Sequence, residues 1–267
     1  MDNDKRKHWW WLWACFAVAL AVPCTAPSTA DGDEPHAWLA TAPGELVRFI
    51  DAGGVEIAVD DDRIRQAGKT ALTVFQFKVD SDFRFRQQLL PQRNVKEEWQ
   101  VKINAWMDQP ELTLSHRILM QSTFNPPMPW QSRLLLHEFD HVAISTDPRL
   151  LKIIKRLLAQ RRQWTAKWVQ PVPPSVSEVR ERIEATFRGD VMRLDRLVQL
   201  QYDWLDSESA NGQKEVGDRK EFFLGLYTLD GLDRCKFEMD ETMREFVKQR
   251  ISTPASLKEI EAHYRFR

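Results

Sequence analysis

At 267 residues with 43% apolar content, the chain is long enough for one large domain or two small ones around a packed core. Its 38 Lys+Arg balance 39 Asp+Glu, which argues against a dedicated nucleic-acid binder. The content of 14 Pro and 10 Gly excludes a collagen-like or linker-dominated chain, and a single uninterrupted apolar run excludes a polytopic membrane protein.

That apolar run opens the chain. Lys5, Arg6 and Lys7 precede Trp9 to Val22, Pro23 breaks the run, and Ser28-Thr29-Ala30 supplies small residues, which is the order of a secretory signal peptide. The run falls short of the about 20 apolar residues that a transmembrane helix needs. The expectation is export, to the periplasm or beyond, with residues 1–30 as a signal peptide cleaved near Ala30; an uncleaved anchor is the alternative. Cys15 and Cys24 lie in this segment, which leaves Cys235 alone in the mature chain, unable to form an internal disulfide and expected to be inert.

From residue 31 to 129 the pattern favours strands. Leu46 to Ile50 and Val55 to Val59 flank Asp51-Ala52-Gly53-Gly54, which predicts a hairpin with glycines at its turn. Leu72 to Val79 is rich in β-branched and aromatic residues, Trp99 to Trp106 alternates with period two, and Leu112 to Met120 has the same character. Asn125-Pro126-Pro127-Met128-Pro129 stops any regular element. From residue 130 to 267 the period becomes helical. The predicted helices are Trp130 to Ile144, Arg149 to Val169 and, after Pro171-Val172-Pro173-Pro174, Ser177 to Leu205. A polar loop is expected from Asp206 to Gly217, and Thr253-Pro254 has the residue types of an N-cap and first helical position. The fold class is therefore α+β in a single domain spanning 31–267: a mostly antiparallel N-terminal sheet followed by a helical region.

Chemistry concentrates in Leu134-Leu135-Leu136-His137-Glu138-Phe139-Asp140-His141-Val142, an H-E-x-x-H pattern. Residues four apart share a helix face, so both imidazoles can reach one metal ion. The glutamate beside the first histidine can then take a proton from a water that the metal activates. The metal expected with this pattern is Zn2+. Asp140 is expected to pair with Arg133 or Arg149, or to accept a hydrogen bond behind the ligands. A tetrahedral catalytic site needs a third protein ligand and an open position. Asp147 is one candidate, but it precedes Pro148 and the next helix, so an N-cap role explains it without metal. Others lie in Tyr202-Asp203-Trp204-Leu205-Asp206-Ser207-Glu208. Tyr202 could polarise a substrate carbonyl, although packing at a helix end is the plainer role. His116, within a predicted strand, is expected to be a strand residue rather than a ligand.

The segment His137 to Ile144, followed later by Tyr202-Asp203 and then by Glu208-Ser209-Ala210-Asn211-Gly212, resembles a family of uncharacterised bacterial exported proteins predicted to be secreted zinc-dependent, zincin-like proteases. The resemblance covers residues 95–213. It rests on an Ile three residues after the second motif His, here Ile144, on the Tyr-Asp pair and on a Glu-Thr-x-His-Gly-like segment. This chain has Asn211 where the family usually shows His. That departure leaves Glu208 as the expected third ligand, with Asp206, Asp203 and Asp147 as alternatives, or a site that has lost its metal.

Between Arg149 and Lys167 the chain carries Lys152, Lys155, Arg156, Arg161 and Arg162 and no acidic residue, beside an apolar stripe of Leu150, Ile153, Ile154, Leu157 and Leu158. A basic amphipathic helix over 149–167 could contact an anionic membrane or cell-wall polymer; a helix with its stripe in the core is the plainer reading. The sequence thus predicts a secreted zinc-dependent peptide hydrolase in which His137 and His141 bind zinc and Glu138 activates water. The strand Leu112 to Met120 is expected to pair with an extended peptide or protein substrate. The alternative is a metal-free zincin-like scaffold acting as an exported envelope binding protein.

Overall fold

The computed structural model describes residues 42–90 and 97–264. The predicted signal peptide and its cleavage near Ala30 lie outside the described residues.

The chain runs α1 (Gly44–Gly53), β1 (Val55–Val59), α2 (Asp61–Ala67), β2 (Ala71–Leu89), β3 (Glu98–Met120), α3 (Arg133–Ser145), α4 (Pro148–Ala159), β4 (Arg162–Val169), α5 (Val176–Ser209), α6 (Arg219–Gly225), α7 (Leu229–Arg234), α8 (Glu241–Phe246) and α9 (Pro254–His263). The α+β class is as expected. Along the chain, however, two helices precede the long strands and one strand lies among the later helices.

β3 is the spine of the sheet. The two strands predicted at Trp99 to Trp106 and Leu112 to Met120 are one continuous strand. β2 pairs antiparallel along it from Ala71↔Met120 to Leu89↔Val101, with an irregularity between Asp80 and Asp82. On its other side β3 meets β1 in parallel, from Val55↔His116 to Val59↔Met120, and β4 antiparallel, from Glu98↔Val169 to Ala105↔Arg162. The end of β3 from His116 to Met120 is therefore paired on both sides and offers no free edge to a substrate strand, whereas Leu112 to Ser115, the rest of the expected stretch, pairs with β2 alone. β1 and β2 end the order β1-β3-β2, and β4 pairs with β3 alone.

The predicted hairpin at residues 46–59 is not formed. Leu46 and Ile50, one helical turn apart, pack into one apolar cluster from α1, and Gly54 ends that helix in a left-handed conformation with φ 53°. A Gly-Gly pair serves a helix end as well as a hairpin turn, and β1 then finds a parallel partner rather than its sequence neighbour. The basic helix over 149–167 is also corrected. α4 ends at Ala159, and Arg162 to Val169 is a strand in which Ala166 is buried between half-buried Trp164 and Trp168. The apolar stripe of α4, Leu150, Ile153, Ile154, Leu157 and Leu158, lies in the main core. Of the cations, Arg149 is buried against Asp147 and Arg162 is paired with Asp190. The helix expected for a membrane or cell-wall contact is thus shortened to α4, which keeps Lys152, Lys155 and Arg156.

α5 is the long strut of the molecule. Ser175 and Glu178 close a capping box at its start, and it continues to Ser209, beyond the predicted end at Leu205. Its first half covers the β2–β3–β4 sheet through Val179, Ile183 and Phe187, and its second half packs in the main core through Leu194, Leu197, Val198 and Leu205. α9 begins at Pro254 as expected. Among the described residues no helix is long and apolar enough to cross a membrane.

Candidate metal centre

α3 carries the H-E-x-x-H residues, all buried, and one donor atom from each of His137, Glu138 and His141 lies within 4.8 Å of the others. The helix is anchored by Leu135, Phe139, Val142 and Ala143 in the cluster beneath α1 and by Ile144 in the main core. The histidine rings meet edge to face with centroids 4.7 Å apart, and their Nε2 atoms lie 3.2 Å apart.

The third group comes from the last turns of α5. Oδ1 of Asp206 lies 2.9 Å from Nε2 of His137 and 3.1 Å from Nε2 of His141. Oδ2 of the same carboxylate accepts a hydrogen bond from Lys69 Nζ at 2.5 Å. Burial pushes the Asp206 carboxyl upward in pKa. The hydrogen bonds to His137 and His141, the attraction of His141 and the bond from Lys69 outweigh it and hold the group well below the usual carboxylate range.

The other sequence candidates do not reach this point. Glu208 lies about 200° around α5 from Asp206; it is exposed, and its Oε1 accepts from Trp204 Nε1 at 3.3 Å. Glu208, the expected third ligand, thus lies away from the histidine pair, and the carboxylate beside that pair is Asp206. Asp203 is exposed and accepts from Gln199 at 2.9 Å. Asn211 is exposed as well. Asp147 caps α4 by accepting from the Arg149 backbone N–H at 2.7 Å and forms a buried ion pair with the Arg149 side chain, so the capping role holds. Asp140 pairs with Arg219, at 2.7 and 2.5 Å, instead of with Arg133 or Arg149. His116 is a buried strand residue whose Nε2 lies 2.5 Å from Ser145 Oγ. Tyr202 donates to that same Ser145 Oγ at 2.9 Å, with its ring 4.4 Å from the His141 ring. Tyr202 is buried with its hydroxyl engaged by Ser145, which is the packing role expected, and burial raises its phenol far above the ordinary value. Cys235 is half-buried with its thiol pushed up by burial, as an inert residue should be.

Four residues that the motif does not announce complete the surroundings. Thr73 of β2 donates from Oγ1 to Glu138 Oε2 at 2.7 Å, fixing one carboxylate oxygen. Ser209 Oγ lies 3.3 Å from His137 Nδ1 and accepts from the Gly212 N–H at 3.0 Å. Lys69 holds Asp206. Gly212, at φ 78°, lies against the His137 ring. Arg133 donates to the Gln213 carbonyl at 2.7 Å, so the segment after α5 is tied to α3 at Arg133, His137 and Asp140. His141 has no such support: its Nδ1 is buried without a hydrogen-bond partner.

The donor set fits a zinc ion. Donor atoms around tetrahedral zinc, with bonds of about 2.0–2.1 Å, stand about 3.3–3.4 Å apart. The observed separations are 2.9, 3.1 and 3.2 Å, a slightly contracted triangle of two imidazole nitrogens and one carboxylate oxygen. Comparisons with protein-family models, with curated proteins and with solved structures return no match for this chain.

Proposed function

We propose that the protein is a zinc-dependent, zincin-like peptide hydrolase in which His137, His141 and Asp206 hold the metal and Glu138 is the general base. The observation that carries this reading is the convergence of Oδ1 of Asp206 on both histidine Nε2 atoms, from a helix far along the chain from the motif. Three protein ligands leave one position open, as a catalytic site requires. Bound there, zinc supplies a Lewis acid that polarises a carbonyl and makes water nucleophilic near neutral pH.

The protein's own residues then do three things. Glu138, with Oε2 fixed by Thr73, keeps its carboxylate beside the ligands, ready to take a proton as water attacks and to return it to the leaving amine. Ser209 lies at His137 Nδ1, which favours a proton on that nitrogen and leaves the Nε2 lone pair for the metal. The third contribution is β2, which reaches Glu138 through Thr73 and ends the strand order, giving an extended peptide an edge to pair with. Export, read from residues 1–30, and membership of the exported protease family belong to the same proposal.

Zinc analysis of the purified protein tests it. About one zinc per chain is expected, lost in His137→Ala and in His141→Ala. A parent protein that takes up no zinc supports the metal-free scaffold instead.

A further inference from the structure

The two oxygens of Asp206 are divided between different neighbours. Oδ1 faces the two histidine nitrogens at 2.9 and 3.1 Å, while Oδ2 is held by Lys69 Nζ at 2.5 Å. The Asp206 side chain is 12% exposed and that of Lys69 31%, so this ion pair lies at the edge of the site with its carboxylate end covered. Lys69 comes from elsewhere in the chain. It follows Gly68, which ends α2 in the left-handed conformation at φ 65°, and it leads into β2. Four residues later the same segment places Thr73 on Glu138. One short stretch thus supports both the third ligand and the base.

We infer that Lys69 is a positioning residue that restricts Asp206 to binding the metal through Oδ1 alone. The inference rests on the zinc reading above. A carboxylate can give a divalent ion one oxygen or both. If both oxygens of Asp206 bound the ion, the second would add a fifth donor beside the water and crowd the position that a catalytic site leaves open. To turn Oδ2 toward the ion, the carboxylate would have to break a short charge-assisted bond and leave the Lys69 ammonium without that partner. The ammonium therefore keeps the fourth position free without touching the ion or the substrate.

The experiment uses cobalt(II), whose visible absorption is intense in four-coordinate sites and weaker in five-coordinate ones. The parent, Lys69→Met, Lys69→Ala and Lys69→Arg proteins are loaded with cobalt(II) and compared, with far-UV circular dichroism checking the fold of each. The parent is expected to give the intense four-coordinate spectrum. Lys69→Met and Lys69→Ala should lose intensity toward the five-coordinate form, and Lys69→Arg, which restores a cationic donor to Oδ2, should recover the parent spectrum. A parent that binds cobalt and shares one spectrum with folded Lys69→Met and Lys69→Ala overturns the role of Lys69 while leaving the metal site standing. A parent that binds no cobalt overturns the metal reading, and this inference with it.

Discussion

The backbone of Gly212 lies so close to the His137 imidazole that a Cβ built on it would fall 2.8 Å from Cγ of the ring. Gly212 also has φ 78°, a conformation that side chains with a Cβ rarely adopt. Gly212→Ala therefore strains the backbone by about 1–3 kcal/mol and pushes His137 away from its partners. The expected outcome is a lower melting temperature with zinc affinity reduced about 10–100-fold, the usual effect of disturbing a ligand's support. Chelator competition and thermal melts on the parent and the variant read both, and an unchanged zinc affinity would show that the ring does not depend on this contact.

The choice between the acids of α5 has a direct check. Asp206→Ala removes a donor that lies 2.9 and 3.1 Å from the two Nε2 atoms, whereas Glu208→Ala removes an exposed carboxylate engaged with Trp204. Zinc per chain should fall steeply in the first and stay at the parent value in the second. The reverse pattern would return the third ligand to Glu208.

Asp147 is expected to matter for stability and not for metal. Asn caps a helix nearly as well as Asp. But Asp147 also neutralises Arg149, whose guanidinium is buried and donates to the carbonyls of Phe223 and Leu224 at 2.6 Å each. Burial works against the Arg149 charge, yet Asp147 overcomes it and holds its pKa above the ordinary value. Asp147→Asn leaves that charge without its partner and should destabilise the fold by about 3–5 kcal/mol. Denaturant unfolding measures the loss; zinc per chain in the folded fraction should not change.

Asp195 predicts a pH effect. Burial alone pushes its carboxyl up to about 6 from the ordinary 3.8. A raised folded pKa means that the native state binds the proton more tightly than the unfolded chain, so its favourable contribution is complete below about pH 4 and is lost as pH rises through about 6. Asp195→Asn should thus melt higher than the parent at pH 7 and equally at pH 4. With its partial exposure taken into account, the gain is about 1 kcal/mol, or about 2–4 °C. Equal melting temperatures at pH 7 would show that this carboxylate is well solvated.

What can be read from the sequence follows from which relationships are local. His137, Glu138 and His141 are tied by helical spacing, so a single helix brings them together wherever it sits. Asp206 can be named only among several acids, because choosing it needs the end of α5 and its rotation. The polar composition from Asp206 onward suggests a loop where the helix in fact runs to Ser209. Lys69 and Thr73 carry no local signature at all; they matter through contacts with α5 and α3. The strand β4 is hidden by its cations, since counting charges over 149–167 passes over the period-two order of Trp164, Ala166 and Trp168. The hairpin at Gly53-Gly54 fails for a related reason: the same glycines can end a helix, and only tertiary pairing with β3 decides between the two.

Glu138→Gln tests the central claim most directly. Lying one residue after His137, Glu138 projects about 100° around the helix from that ligand. Gln keeps its size and can still accept from Thr73, but it cannot accept a proton from water. Zinc content and melting temperature should stay close to those of the parent, while digestion of a peptide library slows by about 10²–10⁴-fold, the usual contribution of a positioned general base. A variant that digests peptides as fast as the parent would contradict the account.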